Sequence, residues 1–278
     1  VGNDIQIYGN KLYAVVNCSH FVEVMDVRTA RHITQISIPN CRYIVFKGRY
    51  AYVSSYAGPV QIDPNARLGY VAKVDTVTMS VVGTCTVGYQ PEEMVISGNK
   101  LYVANSGGYR VPNYDRTVSV IDLDTFREVK KIDVAINLHR LELDKYGQIW
   151  VSSRGDYYDT PSKTFVIDSR TDEVIDELKL LPNSEMAVCG DSLYVYSTEL
   201  PHASQYDQLC DRQCPHQEGR HAKFHYRRNE RTDCHTLWYC DKPQYARIFR
   251  DGRQGLCDPR YALLFQSRRY EKVVGRNR

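Results

Sequence analysis

The sequence predicts an all-β fold, a β-propeller of four-stranded blades, over residues 1–199. Three observations predict it. One unit is written four times: KLYAVVNCSHFVEVMDVRTAR from Lys11, YAYVSSYAG…GYVAKVDTVTM from Tyr50, KLYVANSGG…RTVSVIDLDTFR from Lys100 and QIWVSSRGD…KTFVIDSRTDE from Gln148; a fifth copy opens at Ser192 with SLYVYSTE. The anchor aromatics Tyr13, Tyr52, Tyr102, Trp150 and Tyr194 fall 39, 50, 48 and 44 residues apart, the period of propeller blades. No helix-length periodic segment competes, and a two-sheet sandwich leaves a repeat near 45 residues unexplained.

Within a unit each strand has its own cause. A turn such as Gly98-Asn99-Lys100 or Gly190-Asp191-Ser192 opens a short aromatic and β-branched strand, as hairpin chemistry requires. After a loop of variable length comes an alternating strand, TVSVIDLD from Thr117. A turn at Asp124-Thr125-Phe126 and a last strand, EVKKIDVA from Glu128, complete the unit. The innermost strand of the next blade then begins, as in NCRYIVF from Asn40, QPEEMVI from Gln90, LHRLEL from Leu138 and NSEMAV from Asn183. Aromatics repeating on strands are packing groups, so the anchors belong to the core. Cys18, Cys41, Cys85 and Cys189 lie far apart in apolar strand contexts and are expected as free, buried thiols.

Composition breaks near residue 200. Ile and Val supply 41 of the first 200 residues and 3 of the last 78, and the charge balance turns from 20 Lys/Arg against 24 Asp/Glu to 16 against 9. Residues 200–278 hold five His, five Cys and thirteen Arg. The Cys210–Cys214 and Cys234–Cys240 spacings do not suit a zinc knuckle, so no metal site is expected there. The arginines form no basic face, and no nucleic-acid partner follows. Displacing the codons by one base lets Gln254–Arg278, Gln205–Thr232 and His235–Pro243 each read as blade sequence. The tail is therefore expected to be a frameshifted, non-native segment with little native structure, displaced close to Glu199 or Leu200. Codons of Gln254–Arg278 that yield no blade when shifted would end that expectation. The start at Val1 reads as a truncation, which leaves any export signal out of view, and against the seven blades of the family resembled below it leaves part of the first blade and the last two or so blades missing. No stretch reaches the ~18 apolar residues of a membrane helix.

Propellers bind where loops and innermost strand ends meet the central channel. The innermost strand starts offer Arg42, Tyr43, Glu92, Glu93, His139, Arg140, Ser184 and Glu185, chemically diverse residues at equivalent places, which suits a lining as well as salt bridges between blades. The loops after the anchor strands add Tyr56, Asn105, Tyr109, Arg110, Tyr114, Arg154, Tyr157 and Tyr158, of the types enriched in binding hot spots, although loop tyrosines also serve to cover neighbouring blades. Catalysis fits less well: Glu92 and Glu93 must point apart in an extended strand, and His139 has no nucleophile beside it. A calcium-dependent lactonase-like hydrolase using Glu92, Asn105 and Asp156 is the enzyme alternative, without a calcium-loop signature.

The strings VGNDIQIYGNKLYAVVN, NCRYIVFKG, YQPEEMVISGNKLYVANSGGYRVPNYDRTVSVIDLDT and RLELDKYGQIWVSSRGDYY resemble the YncE-type propellers of gut Bacteroidales, also grouped with the domain of unknown function numbered 5074. That resemblance implies a seven-bladed, exported surface lipoprotein beside a TonB-dependent transporter, without catalysis or a bound cofactor. In some relatives the ligand is cobalamin. A protein-interaction scaffold without a small ligand is the other non-enzymatic alternative.

Overall fold

In a computed structural model the chain is described over residues 2–178, 185–189, 192–197, 223–228 and 235–240. Blade 1 holds β1 (Gly2–Tyr8), β2 (Lys11–Val16), β3 (Phe21–Asp26) and β4 (His32–Ser37); blade 2 holds β5 (Cys41–Lys47), β6 (Tyr50–Ser55), β7 (Tyr70–Asp75) and β8 (Ser80–Thr86). Blade 3 holds β9 (Pro91–Ser97), β10 (Lys100–Asn105), β11 (Thr117–Asp122) and β12 (Arg127–Asp133); blade 4 holds β13 (Leu138–Leu143), β14 (Gln148–Ser153), β15 (Lys163–Asp168) and β16 (Glu173–Leu178). In these four blades the strands pair antiparallel in chain order. The first blade, expected to be incomplete, has all four strands because Gly2–Tyr8 pairs with β2.

A fifth sheet contains β17 (Glu185–Cys189), β18 (Ser192–Ser197), β19 (Lys223–Arg228) and β20 (His235–Cys240), in the order β17-β18-β20-β19. Its two outer strands are thus exchanged relative to the in-order blades. The remaining expectations for residues 200–278, and those for Ser184 and the side chains of Cys189 and Tyr194, lie outside the described residues.

Turn chemistry explains the blade edges. Gly9, Gly48 and Gly98 take φ of +62°, +57° and +56° between the first and second strands, a conformation that costs glycine least. Between the third and fourth strands an aspartate folds back on the turn: Asp26 Oδ1 accepts from the Arg28 and Thr29 amides, Asp75 Oδ1 from Val77 and Thr78, and Asp122 Oδ1 from Thr125.

Both faces of an inner blade are buried, so side chains alternate between two cores. From β6, Ala51 and Val53 join Val15, Val24 and Ile44 between blades 1 and 2, while Tyr52 joins Met94, Leu101 and Val103 between blades 2 and 3. Tyr102 packs with Leu141, Ile149 and Phe165 between blades 3 and 4. Tyr13, Tyr52, Tyr102 and Trp150 are all buried, as expected of packing anchors. Cys41 and Cys85 are buried free thiols; Cys18 departs from expectation because a 3-10 turn over Asn17–Ser19, not a strand, carries it to the surface. Outer strands are open, β16 being exposed over nearly its whole length. Among the described residues no helix is long and apolar enough to cross a membrane.

Candidate functional site

In blades 2, 3 and 4 the innermost strand begins with a bulge. Arg42 and Tyr43 together oppose Ser54, Glu92 and Glu93 oppose Ala104, and His139 and Arg140 oppose Ser152. Two residues facing one breaks the ladder and re-aims the side chains. In blades 2 and 4 a serine repairs the break: the Tyr43 amide donates to Ser54 Oγ at 3.1 Å and the Arg140 amide to Ser152 Oγ at 3.0 Å. Just before the bulge, Asn40, Gln90 and Asn137 stand at positive φ. Their carbonyls accept from the Tyr56, Ser106 and Arg154 amides, which ties the long loops to the strand starts on one face.

The re-aimed side chains converge from blade to blade. Arg42 donates to both oxygens of Glu92 at 3.1–3.3 Å, with side-chain exposures of 12 % and 2 %. The Tyr56 hydroxyl donates to Glu92 Oε1, and the Arg42 guanidinium lies 4.6 Å from the Tyr56 ring centre. Glu93 turns the other way, accepting from the Leu141 amide at 2.9 Å and from Arg140 at 3.3 Å. Arg140 also pairs with Glu185 of β17. The Tyr43 hydroxyl of blade 2 meets His139 Nε2 of blade 4 at 3.3 Å, passing the inner edge of blade 3.

His139 Nε2 also faces Arg154 Nη2 at 2.8 Å. A guanidinium only donates, so Nε2 is the acceptor and the imidazole carries its proton on Nδ1. Burial and the charges of Arg154, Arg140 and Arg42 hold His139 well below its ordinary pKa, and the ring is neutral. Burial lifts Glu93 to about 8 against the pull of Arg140, and lifts Glu142 to about 7. It raises Asp4 as well, whose Oδ2 accepts from the Ile44 amide as Glu93 does from Leu141.

Of the residues singled out by sequence, Arg42, Tyr43, Tyr56, Glu92, His139, Arg140 and Arg154 thus form one network. Its inner members are occupied with each other where the innermost strands begin. Tyr56, expected on the open face, is buried beneath Tyr109, their rings 6.3 Å apart. Asn105 is also misplaced by that expectation: it is fully buried within blade 3, its Oδ1 accepting from the Gly88 amide and its Nδ2 donating to Thr117 and Ser119. Glu92, Asn105 and Asp156 consequently do not converge as a calcium set, Asp156 being engaged by the Tyr158 and Thr160 amides of its own loop.

The face itself is made by the loops. Tyr109 is 37 % exposed, Tyr157 58 % and Tyr158 90 %. Tyr114 is half-buried, and burial together with Asp156, Tyr157 and Tyr158 raises its hydroxyl pKa, which places blade 3's loop against blade 4's. Arg110 stacks 3.6 Å from the Tyr89 ring centre, and the Asp63 amide donates to the Tyr109 carbonyl at 2.8 Å, joining the loops of blades 2 and 3. Sequence inspection missed Asp4, although it sits five residues before Gly9 as Tyr43 and Glu93 do before Gly48 and Gly98.

No family model and no curated protein matches the chain. Among solved structures it is similar to hydrazine synthase of Kuenenia stuttgartiensis, with a TM-score of 0.61 and 18 % identity over 70 % of this chain and 55 % of that one. It is also similar to BamB of Moraxella catarrhalis, with a TM-score of 0.50 and 16 % identity over 84 % of this chain and 68 % of that one. The chain spans about half the length of the hydrazine synthase chain. At such identities the likeness is one of fold, and with the repeated four-stranded sheets it shows a β-propeller.

Proposed function

We propose that the chain is a non-catalytic capture propeller that holds its ligand on the loop face where the innermost strands begin. The observation that carries this is the contrast between the paired side chains at the innermost strand starts and the open tyrosines above them. Glu92, Glu93 and Arg140 are paired with partners on neighbouring blades, while Tyr109, Tyr114, Tyr157 and Tyr158 stand on adjacent loops with ring surface open to solvent. Stiff aromatic side chains on anchored loops lose little entropy when a flat partner covers them.

The family resemblance supplies the finer reading: a corrinoid such as cobalamin, captured at the outer-membrane surface or in the periplasm for a TonB-dependent transporter. Titrating the full chain with cyanocobalamin tests it. Saturable binding in the micromolar range, weakened at least ~10-fold by Tyr157→Ala/Tyr158→Ala, is expected, since truncating two central aromatic contacts costs on the order of 1–2 kcal/mol or more. Absence of binding at micromolar concentration would sink the corrinoid reading. Binding unchanged by the double substitution would move the site off this loop.

A further inference from the structure

We propose that Arg154 is the anchor of an anion subsite at the channel mouth, taking a carboxylate or phosphate group of the ligand whose body rests on the tyrosine rim. The inference rests on the capture reading above and adds the charge of the ligand.

Three guanidiniums surround His139, and only two have carboxylates. Arg42 is matched by Glu92, and Arg140 by Glu93 and Glu185. Arg154 has no carboxylate within 4.0 Å among the described residues; its side chain hydrogen-bonds from Nη2 to neutral His139. A guanidinium carries five donors in a flat fork, so the edge turned away from His139 is available for two parallel bonds to an oxyanion. The side chain is only half-buried, which leaves it reachable and yet less screened than a surface arginine.

The local chain is built to hold it there. The Arg154 amide is fixed to the Asn137 carbonyl at 3.0 Å, and Gly155 turns the backbone at φ +64° directly after it. Asn137 Nδ2 donates to the Gly155 carbonyl at 2.9 Å, locking that turn to the strand start. The neutral imidazole orients the guanidinium without neutralising it. A carboxylate in place of His139 would cancel the charge that an anion needs. The same loop carries Tyr157 and Tyr158, so an anion on Arg154 places the remainder of its molecule beside the exposed rings.

Two probes distinguish the sources of the anionic group: inorganic phosphate and benzoate, each titrated into the full chain while the Arg154 Nε–H resonance is followed by NMR. Saturable millimolar binding of at least one is expected, and the stronger one names the group. Arg154→Gln should weaken it ~10–100-fold, the worth of a charged hydrogen-bonded pair. Arg154→Lys keeps a donor to His139 and should bind several-fold more weakly than wild type, while Arg127→Gln, on the exposed outer strand β12, should not change binding. Absence of saturable binding of either probe, or equal binding in wild type and both Arg154 variants, overturns the subsite. Cyanocobalamin titrated into the same proteins separates the two readings: anion binding without corrinoid binding removes only the corrinoid, and the reverse removes only the anion subsite.

Discussion

Glu92 and Glu93 are consecutive in the chain and serve opposite neighbours: Glu92 is gripped by Arg42 of the preceding blade, and Glu93 takes the Leu141 amide and Arg140 of the following one. The bulge opposite Ala104 makes this division possible, and it turns one dipeptide into the stitch between three blades.

The Arg42–Glu92 pair should behave as a coupled unit. With both side chains withdrawn from water, removing one leaves a buried charge, so Glu92→Leu and Arg42→Met should each cost ~3–5 kcal/mol. The double variant should cost at least ~2 kcal/mol less than the sum of the two. Urea denaturation of the four proteins measures the coupling, and additive losses would show that the pair is not energetically linked.

Glu93 gives stability a pH dependence of unusual sign. Its folded-state pKa of about 8 lies above the ordinary 4.5, so between those values the folded chain binds the proton and the unfolded chain does not. The contribution is complete below the unfolded value and is lost as pH rises through about 8. Glu93→Gln keeps an acceptor for the Leu141 amide without the ionisation. The urea midpoint of wild type should fall relative to this variant from about pH 5 to pH 9. A difference that stays flat would place the Glu93 pKa in the usual carboxylate range.

The blades were legible because the repeat fixes strand, turn and anchor together: Tyr13, Tyr52, Tyr102 and Trp150 are buried where the pattern puts them. Strand alternation was enough to expect Glu92 and Glu93 to point apart, but the bulge opposite Ala104 that hands them to different blades was not legible. The cross-blade contacts were not legible, since Tyr43 and His139 lie 96 residues apart and meet only through bulges that no local residue type announces. Asn105 misled for a related reason. It ends the strand that feeds the loop, and it is the fold's demand for a bond to the Gly88 amide that keeps it inside. The exposure of Tyr157 and Tyr158 was legible, because they lie in the loop after an anchor strand and not on the strand itself.

Tyr102 should prove more than an apolar anchor. Its hydroxyl donates to Asp172 Oδ1 at 2.5 Å and lies 3.0 Å from the Ser169 carbonyl oxygen, fastening blade 3 to the turn that closes blade 4. Tyr102→Phe preserves the ring and removes the bonds. A loss of ~1–3 kcal/mol in urea denaturation is expected, as for hydrogen bonds to charged acceptors. A loss below ~0.5 kcal/mol would mean that ring packing alone secures this junction.

Gly155 separates the requirements of the loop from those of the blade. A Cβ there would stand 2.0 Å from the Thr160 carbonyl oxygen, on a backbone at φ +64°, so Gly155→Ala must push the 154–162 loop outward. Gly98, at φ +56°, has open space around its missing Cβ, so Gly98→Ala imposes backbone strain without a clash. Both should destabilise by ~1 kcal/mol or more through the left-handed conformation, Gly155→Ala by the larger amount. Only Gly155→Ala should weaken capture on the face, because only that loop carries Arg154, Tyr157 and Tyr158. Thermal denaturation and ligand titration on the same samples decide the matter: equal affinities in the two variants would show that the ligand rests elsewhere on the propeller.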